Sequence, residues 1–387
     1  MGHAGGHPGI RASNEVTPST FEMWLGLPPN SVIGEVRRTP LSDTATSSRL
    51  FRLFARTGRG EADIATMILK LPILAEDSRA IFSRGGHYQR EAEVYCAAES
   101  LALTALPKCY SWSEWCANEP VFHLALEDCA GNKARQFNLD DAWGRTHLEA
   151  LCRTLASIHS SFWEYRECFP HLKRWSPGLA CDDACELSAA VQKFKTVFAS
   201  RLSAFEVHAL DTVAAAEVEL RAAISAPPTL IHGDVHPLNV FFATDEALGP
   251  VKLVDWQFAG WGAGAADMAD MLQLFSPPLE RRLSERQLVE LYYASLVPSI
   301  RSGYHREDLF QDYAICRLLN VLKPTRLLRN PKLPVGIALR LFKRACVALL
   351  DETGPWPMVD DLVRRACHEF SGSGSQTPRL LGGNPRT

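Results

Sequence analysis

No stretch of this 387-residue sequence approaches the ~18–20 consecutive apolar residues needed to cross a bilayer, so no membrane span is expected. The opening residues, MGHAGGHPGIRASNEVTP, lack the hydrophobic core of a signal peptide, and the expected compartment is the cytoplasm. Charge of one sign is lacking too: 41 Lys and Arg stand against 44 Asp and Glu, a formal net charge of −3. So balanced a chain has no global field for a nucleic-acid backbone, and nucleic acid is not an expected partner. The 11 cysteines include no C-x-x-C pair and no Cys/His cluster with zinc spacing. Their odd number and their apolar neighbourhoods, such as AEVYCAAES and ICRLLN, fit reduced thiols packed as small hydrophobes. His3 and His7 are too isolated to form a metal site, and no internal repeat is visible.

What is present is ordinary globular composition, 46% apolar and 22% charged, long enough for two or three structural units. Residues 1–20 are rich in Gly, Pro and His and are expected to be flexible. From Ser31 to Ile73 three β-type runs follow, SVIGEV, SSRLFRLFAR and ADIATMILKLPI, the last two joined by the turn signal TGRGEAD. Alternation in Ile64, Thr66, Ile68 and Lys70 predicts a small antiparallel meander. A helix is predicted over HYQREAEVYCAAESLA, with Tyr88, Ala92 and Tyr95 on its apolar face and Arg90, Glu91 and Glu93 around its polar side. VFHLALEDCAGN reads as one more buried strand ending in a turn. Beyond it DDAWGRTHLEALCRTLASIHSSFW is helical, its stripe Leu148, Leu151, Leu155 and Ile158, with Asp140 or Asp141 as N-cap. The outline is α+β: an N-lobe at 21–128, a linker near Glu127–Asn132, a mostly helical C-lobe at 129–370, and a Gly/Ser/Pro-rich tail at 371–387 expected to be disordered.

Two strand-like segments interrupt the helical part and carry the chemistry. In Ile231-His232-Gly233-Asp234-Val235-His236-Pro237-Leu238-Asn239, an aspartate and an asparagine five residues apart follow an apolar run. Phosphoryl transfer onto a hydroxyl needs this pair: a carboxylate to accept and orient the hydroxyl proton, and an uncharged oxygen ligand for magnesium. Sixteen residues after Asn239, Val251-Lys252-Leu253-Val254-Asp255 ends a buried strand on a carboxylate able to bridge a divalent cation to nucleotide phosphates. A single loop aspartate more often caps a helix or turn. The combination of Asp-x4-Asn, a strand-terminal Asp and a preceding His-Gly is far more specific.

At these residues the sequence resembles the aminoglycoside phosphotransferase/choline kinase superfamily, from about Ser31 to Phe370. Its H-G-D-x-H-x-x-N loop is present as His232, Gly233, Asp234, His236 and Asn239, and its metal-binding aspartate falls on Asp255. ASIHSSFW and LALEDCAGN look most like its ecdysteroid-kinase-like (CHK-like) branch. The resemblance implies a bilobal protein-kinase-like fold, with a small antiparallel β N-lobe and a larger helical C-lobe. It also implies ATP, with GTP left open, Mg²⁺, and a small-molecule hydroxyl acceptor. Asp234 would be catalytic, Asn239 and Asp255 would hold the metal, and Asp267 would brace the catalytic loop. His236 would support that loop rather than carry protons.

Lys70, the only lysine of the meander, would hold the nucleotide phosphates, and Glu91 would hold Lys70, with Glu93 as fallback. An isolated strand lysine is otherwise an edge or solvent-facing residue. Backbone groups near Leu126 and Asp128 would read the purine edge; the plainer view of Glu127 and Asp128 is a solvated turn. The phosphate-covering stretch RRTPLSDTATSS departs from the family in having no glycine, with Ser42, Thr44 and Ser47 as substitute donors. Trp256 and Trp261, close after Asp255, are either core filler or a wall for a flat or cationic acceptor. Two other functions compete with the small-molecule kinase. A protein kinase is disfavoured, because the loop reads H-G-D rather than H-R-D and neither D-F-G nor A-P-E occurs. A catalytically inactive kinase-fold scaffold is favoured only by the glycine-poor loop.

Overall fold

The structure is a computed structural model that describes residues 9–41, 48–58, 63–101, 103–115, 121–130, 134–139, 141, 143–164, 172, 184–243, 251–328, 333–353 and 358–368. Ser42, Thr44, Ser47, Asp140 and the tail 371–387 lie outside the described residues.

The first helix, α1 (Pro18–Leu25), has a local cause. Thr17 caps it by accepting the Thr20 N–H at 3.2 Å, proline occupies the first turn, and Gly26 ends it with φ +67°. The three β-type runs become β1 (Ile33–Pro40), β2 (Ser48–Arg56) and β3 (Ile64–Pro72), an antiparallel meander in continuous register from Ser48↔Pro72 to Arg56↔Ile64. Then come α2 (Glu76–Arg84), α3 (His87–Ser100), β4 (Cys109–Trp112) and β5 (Leu124–Glu127). The sheet order is β1-β2-β3-β5-β4, so β5 pairs with β3 and closes the meander. Strand period decides which side chains go where. Met67, Leu69 and Leu71 of β3 fill one face against Phe21, Trp24 and Val36, which puts Ile68 and Lys70 on the opposite face.

The remaining chain is mostly helical. It carries β6 (Arg135–Gln136), α4 (Arg145–Ser161), α5 (Ala184–Val197), α6 (Ala204–Ala215) and α7 (Glu217–Ala222). Strands β7 (Thr229–Ile231), β8 (Val240–Phe242), β9 (Lys252–Leu253) and β10 (Gly260–Gly262) precede α8 (Ala265–Ala269) and a π-helical turn, Asp270–Phe275. Six helices complete the described chain: α9 (Pro278–Ser295), α10 (Pro298–Arg301), α11 (Arg306–Leu319), α12 (Lys323–Leu327), α13 (Val335–Thr353) and α14 (Met358–His368). Two small antiparallel sheets, β10-β7 and β6-β8-β9, carry both polar motifs. The stripe Leu148, Leu151, Leu155 and Ile158 of α4 is buried as its spacing predicts.

Four expectations need correction. Ile10 and Val16 are buried in the N-lobe core, so the polar-looking segment from residue 9 onward is anchored by two apolar side chains rather than flexible. Helix α4 starts after Gly144; Asp141 instead accepts the Asn138 N–H at 2.8 Å, closing a turn ahead of the helix. On α3, Arg90 is buried rather than set on an exposed polar side, because it donates to the Gln257 carbonyl inside. Glu127 and Asp128 are not a solvated turn: Asp128 is 3% exposed and pairs with Arg52 at 2.7 Å, while Glu127 pairs with Lys252.

Candidate active site

The chain leaves β7 into His232-Gly233-Asp234. Gly233 is required there: its φ is +76°, and a Cβ would stand 2.4 Å from the Phe258 carbonyl oxygen. The turn is held by Asp267 from α8. Its Oδ2 accepts the His232 N–H at 2.7 Å, its Oδ1 accepts the Gly233 N–H at 2.8 Å, and the His159 ring lies 3.2 Å from Oδ2. Burial pushes the Asp267 carboxyl up, but the His159 hydrogen bond and the nearby histidines outweigh it and leave it below its ordinary value. His232 donates from Nε2 to Val254 O at 2.9 Å and accepts the Asp234 N–H on Nδ1 at 3.2 Å. That pattern is the neutral ring, in line with a pKa lowered chiefly by burial.

Asp234 itself is 22% exposed, with Oδ2 at 3.3 Å from His236 Nε2 and Oδ1 at 3.4 Å from Lys323 Nζ. Burial raises its pKa, but His236 and then Lys323 pull it well below the usual carboxylate range, so it is an ionised acceptor. Asn239 closes the motif by donating its side-chain N–H to Asp234 O at 3.0 Å. Its amide oxygen is thereby the atom left for coordination. Val254 N donates to Asn239 O at 2.9 Å, extending the β8–β9 ladder so that Asn239 and Asp255 stand at adjacent strand ends.

Asp255 is a non-glycine residue in the left-handed region, φ +66°, and its side chain remains 34% exposed. There it meets the N-lobe: Lys70 Nζ, from the inner face of β3, is 2.7 Å from Asp255 Oδ1 and 2.6 Å from Glu91 Oε2 on α3. Burial opposes the Lys70 charge, yet Asp255 and Glu91 more than restore it and raise its pKa. Glu91 is itself pushed up to about 7, by burial first and against the pull of Lys70, with Asp255 adding to the rise. One ammonium thus serves two carboxylates, and the excess negative charge lies where Asp255 opens to solvent. Magnesium suits this arrangement, because it takes one or two protein oxygens and completes its shell with phosphates and water. Among the described residues no group of three or more His, Cys, Asp and Glu forms a metal cage of its own.

Lys70, Glu91, Asp234, Asn239 and Asp255 therefore lie together. The backbone of Leu126 is engaged in the β3–β5 ladder opposite Ile68, and Asp128 is committed to Arg52. Trp256 and Trp261 are buried, the former donating to Leu253 O at 3.0 Å, which leaves them as core filler rather than an acceptor wall. Two residues that the sequence did not assign to the site join it. Arg90 donates from α3 to Gln257 O at 3.1 Å, tying that helix to the Asp255 turn. Lys323, at the start of α12, reaches the His232–Asp234 turn from 90 residues away. Neither has a local signal, since a lysine before a proline and an arginine on a helix are ordinary.

A candidate aminoglycoside phosphotransferase from Ralstonia eutropha superposes with a TM-score of 0.50 at 14% identity, covering 89% of this chain and 97% of that one, which supports a shared fold. Ethanolamine kinase from Plasmodium vivax gives 0.49 at 12% identity over 82% of this chain and 83% of its own. Choline kinase from Streptococcus pneumoniae gives 0.47 at 14% over 83% and 95%. No curated protein matches the chain significantly. The profile of the ecdysteroid kinase-like family matches residues 45–302, two thirds of the chain, including every residue of the motifs above. The chain belongs to the ecdysteroid kinase-like family, a kinase-like family of small-molecule phosphotransferases.

Proposed function

We propose that the protein transfers the γ-phosphate of ATP to a hydroxyl group of a small molecule, with GTP as the alternative donor. The observation that carries this reading is the Lys70 ammonium between Glu91 and Asp255, within one site with Asp234 and Asn239. The buried Lys70 meets Asp255, a partly exposed carboxylate 185 residues away in sequence, which is the juxtaposition that holding nucleotide phosphates and their metal calls for.

In this reading residues 21–128 form the nucleotide lobe and 129–370 the catalytic and acceptor lobe, with the strand end at Leu126–Asp128 beside the base. Asn239 and Asp255 would hold magnesium, whose positive charge would offset the negative charge that develops on transfer. Lys70 would hold the α- and β-phosphates, and Glu91 would keep its ammonium in place. Asp234, ionised and acceptor-only, would take the hydrogen bond of the incoming hydroxyl, align its oxygen with the γ-phosphorus and receive the proton as the new P–O bond forms, while the bond from the γ-phosphorus to the β–γ bridging oxygen breaks and the nucleoside diphosphate leaves.

The test is transfer of labelled γ-phosphate to a pool of hydroxylated metabolites and antibiotics, with and without Mg²⁺, for wild type and Asp234→Asn. A loss of about 10²- to 10⁴-fold is expected in the variant, the span of general acid–base contributions. Turnover indifferent to Asp234→Asn refutes the role of that residue. Failure to bind either Mg²⁺-ATP or Mg²⁺-GTP in calorimetry refutes the enzyme and leaves the scaffold.

A further inference from the structure

The catalytic turn is gripped by a lysine that lies outside its motif. Helix α12 begins at Lys323, which is 8% exposed, and its Nζ donates to Gly233 O at 2.9 Å and to Asp270 Oδ2 at 2.5 Å. The same ammonium forms an ion pair with Asp234, whose Oδ1 lies 3.4 Å away. Asp270 starts the π-helical turn directly after α8, a wider coil of the kind that marks functional positions, and its other oxygen is buried without a hydrogen-bond partner. Burial pulls the lysine toward neutrality, and Asp270 followed by Asp234 reverses this, so it stays charged.

The Asp234 carboxylate thus faces His236 at one oxygen and Lys323 at the other, while the same lysine donates to the carbonyl of the glycine before it. Asp270 cancels the lysine's charge locally. The contribution is thus orientation more than added field.

We propose that Lys323, with Asp270 as its counter-charge, is a positioning residue that fixes the direction of the Asp234 carboxylate for the acceptor hydroxyl. This deepens, and rests on, the phosphotransferase reading above. A misplacement of about 1 Å at a reacting group costs on the order of a hundredfold in rate, which sets the expected effect.

Removing the lysine alone would strand the buried Asp270 carboxylate and threaten folding, so the experiment uses an Asp270→Asn background. Release of labelled phosphate from Mg²⁺-ATP, with water as acceptor, is measured for wild type and for D270N, D270N/K323M, D270N/D234N and D270N/K323M/D234N. If Lys323 acts through Asp234, K323M lowers kcat about a hundredfold when Asp234 is present and has no further effect once it is Asn. The KM for ATP and the calorimetric nucleotide stoichiometry remain as in D270N, which a merely structural lysine would not preserve. Additive losses, or a kcat unmoved by K323M, overturn the proposal while leaving the phosphotransferase intact. Failure of wild type to bind either Mg²⁺-ATP or Mg²⁺-GTP overturns both.

Discussion

Asp267 is fully buried, yet its removal should release the His232–Asp234 turn. Its carboxylate accepts two backbone N–H groups, from His232 at 2.7 Å and Gly233 at 2.8 Å, in a site with 0% exposure. Hydrogen bonds to a charged acceptor contribute about 1.5–3 kcal/mol each, so Asp267→Ala forfeits at least about 3 kcal/mol of local stability. Asp267→Asn keeps one acceptor and turns an N–H toward the other donor, for a cost of about 2 kcal/mol. Amide hydrogen exchange across residues 229–235 reads this directly. Protection at His232 and Gly233 should fall roughly a hundredfold in the alanine variant and about thirtyfold in the asparagine variant, at 1.4 kcal/mol per factor of ten. Exchange at these amides that matches wild type in both variants would refute the argument. The sign with pH follows from the depressed folded-state pKa. The Asp267 contribution is complete above the unfolded carboxylate value and disappears as pH falls through the folded one, so acid should loosen this turn in wild type but not in Asp267→Ala.

Gly233→Ala combines a left-handed backbone with a Cβ 2.4 Å from Phe258 O, so it should cost more than the ~1–2 kcal/mol of the backbone alone; an unchanged calorimetric melting temperature would contradict this. Asp312, pushed up to about 6 mainly by burial, anchors the Ser225 and Ala226 amides at 2.8 Å each. An acid with a raised folded-state pKa stabilises below its unfolded value and loses that contribution as pH rises through the folded one. Asp312→Asn should therefore flatten the fall in wild-type melting temperature between about pH 4 and 6. Parallel wild-type and variant profiles across that window would contradict this.

The legibility of the fold varied with the range of the interactions involved. The meander was readable because alternation over Ile64, Thr66, Ile68 and Lys70 is a property of neighbours, and so was the stripe of α4. The same logic failed on α3. There a helical-wheel reading leaves Arg90 on the polar side, whereas the Asp255 turn supplies it with a buried partner. β4 and the short strands of the C-terminal part carry too few residues to display a period. Flexibility inferred from composition at residues 9–20 was outweighed by Ile10 and Val16, because two apolar side chains suffice to dock a short segment.

The sequence by itself determined which chemical groups this protein has and their local spacing: Asp234 and Asn239 in one turn, Asp255 at a strand end, Lys70 alternating onto the inner face of its strand. Tertiary structure alone decided who meets whom. Lys70 was joined to Asp255 across 185 residues, Asp267 was set under two backbone amides, and Lys323 was brought to the glycine of the turn from 90 residues away. The physical reason is that periodicity and capping are settled within a few residues of chain. A buried charge, by contrast, must find its partner among whatever segments pack around it, and only the packed molecule specifies those.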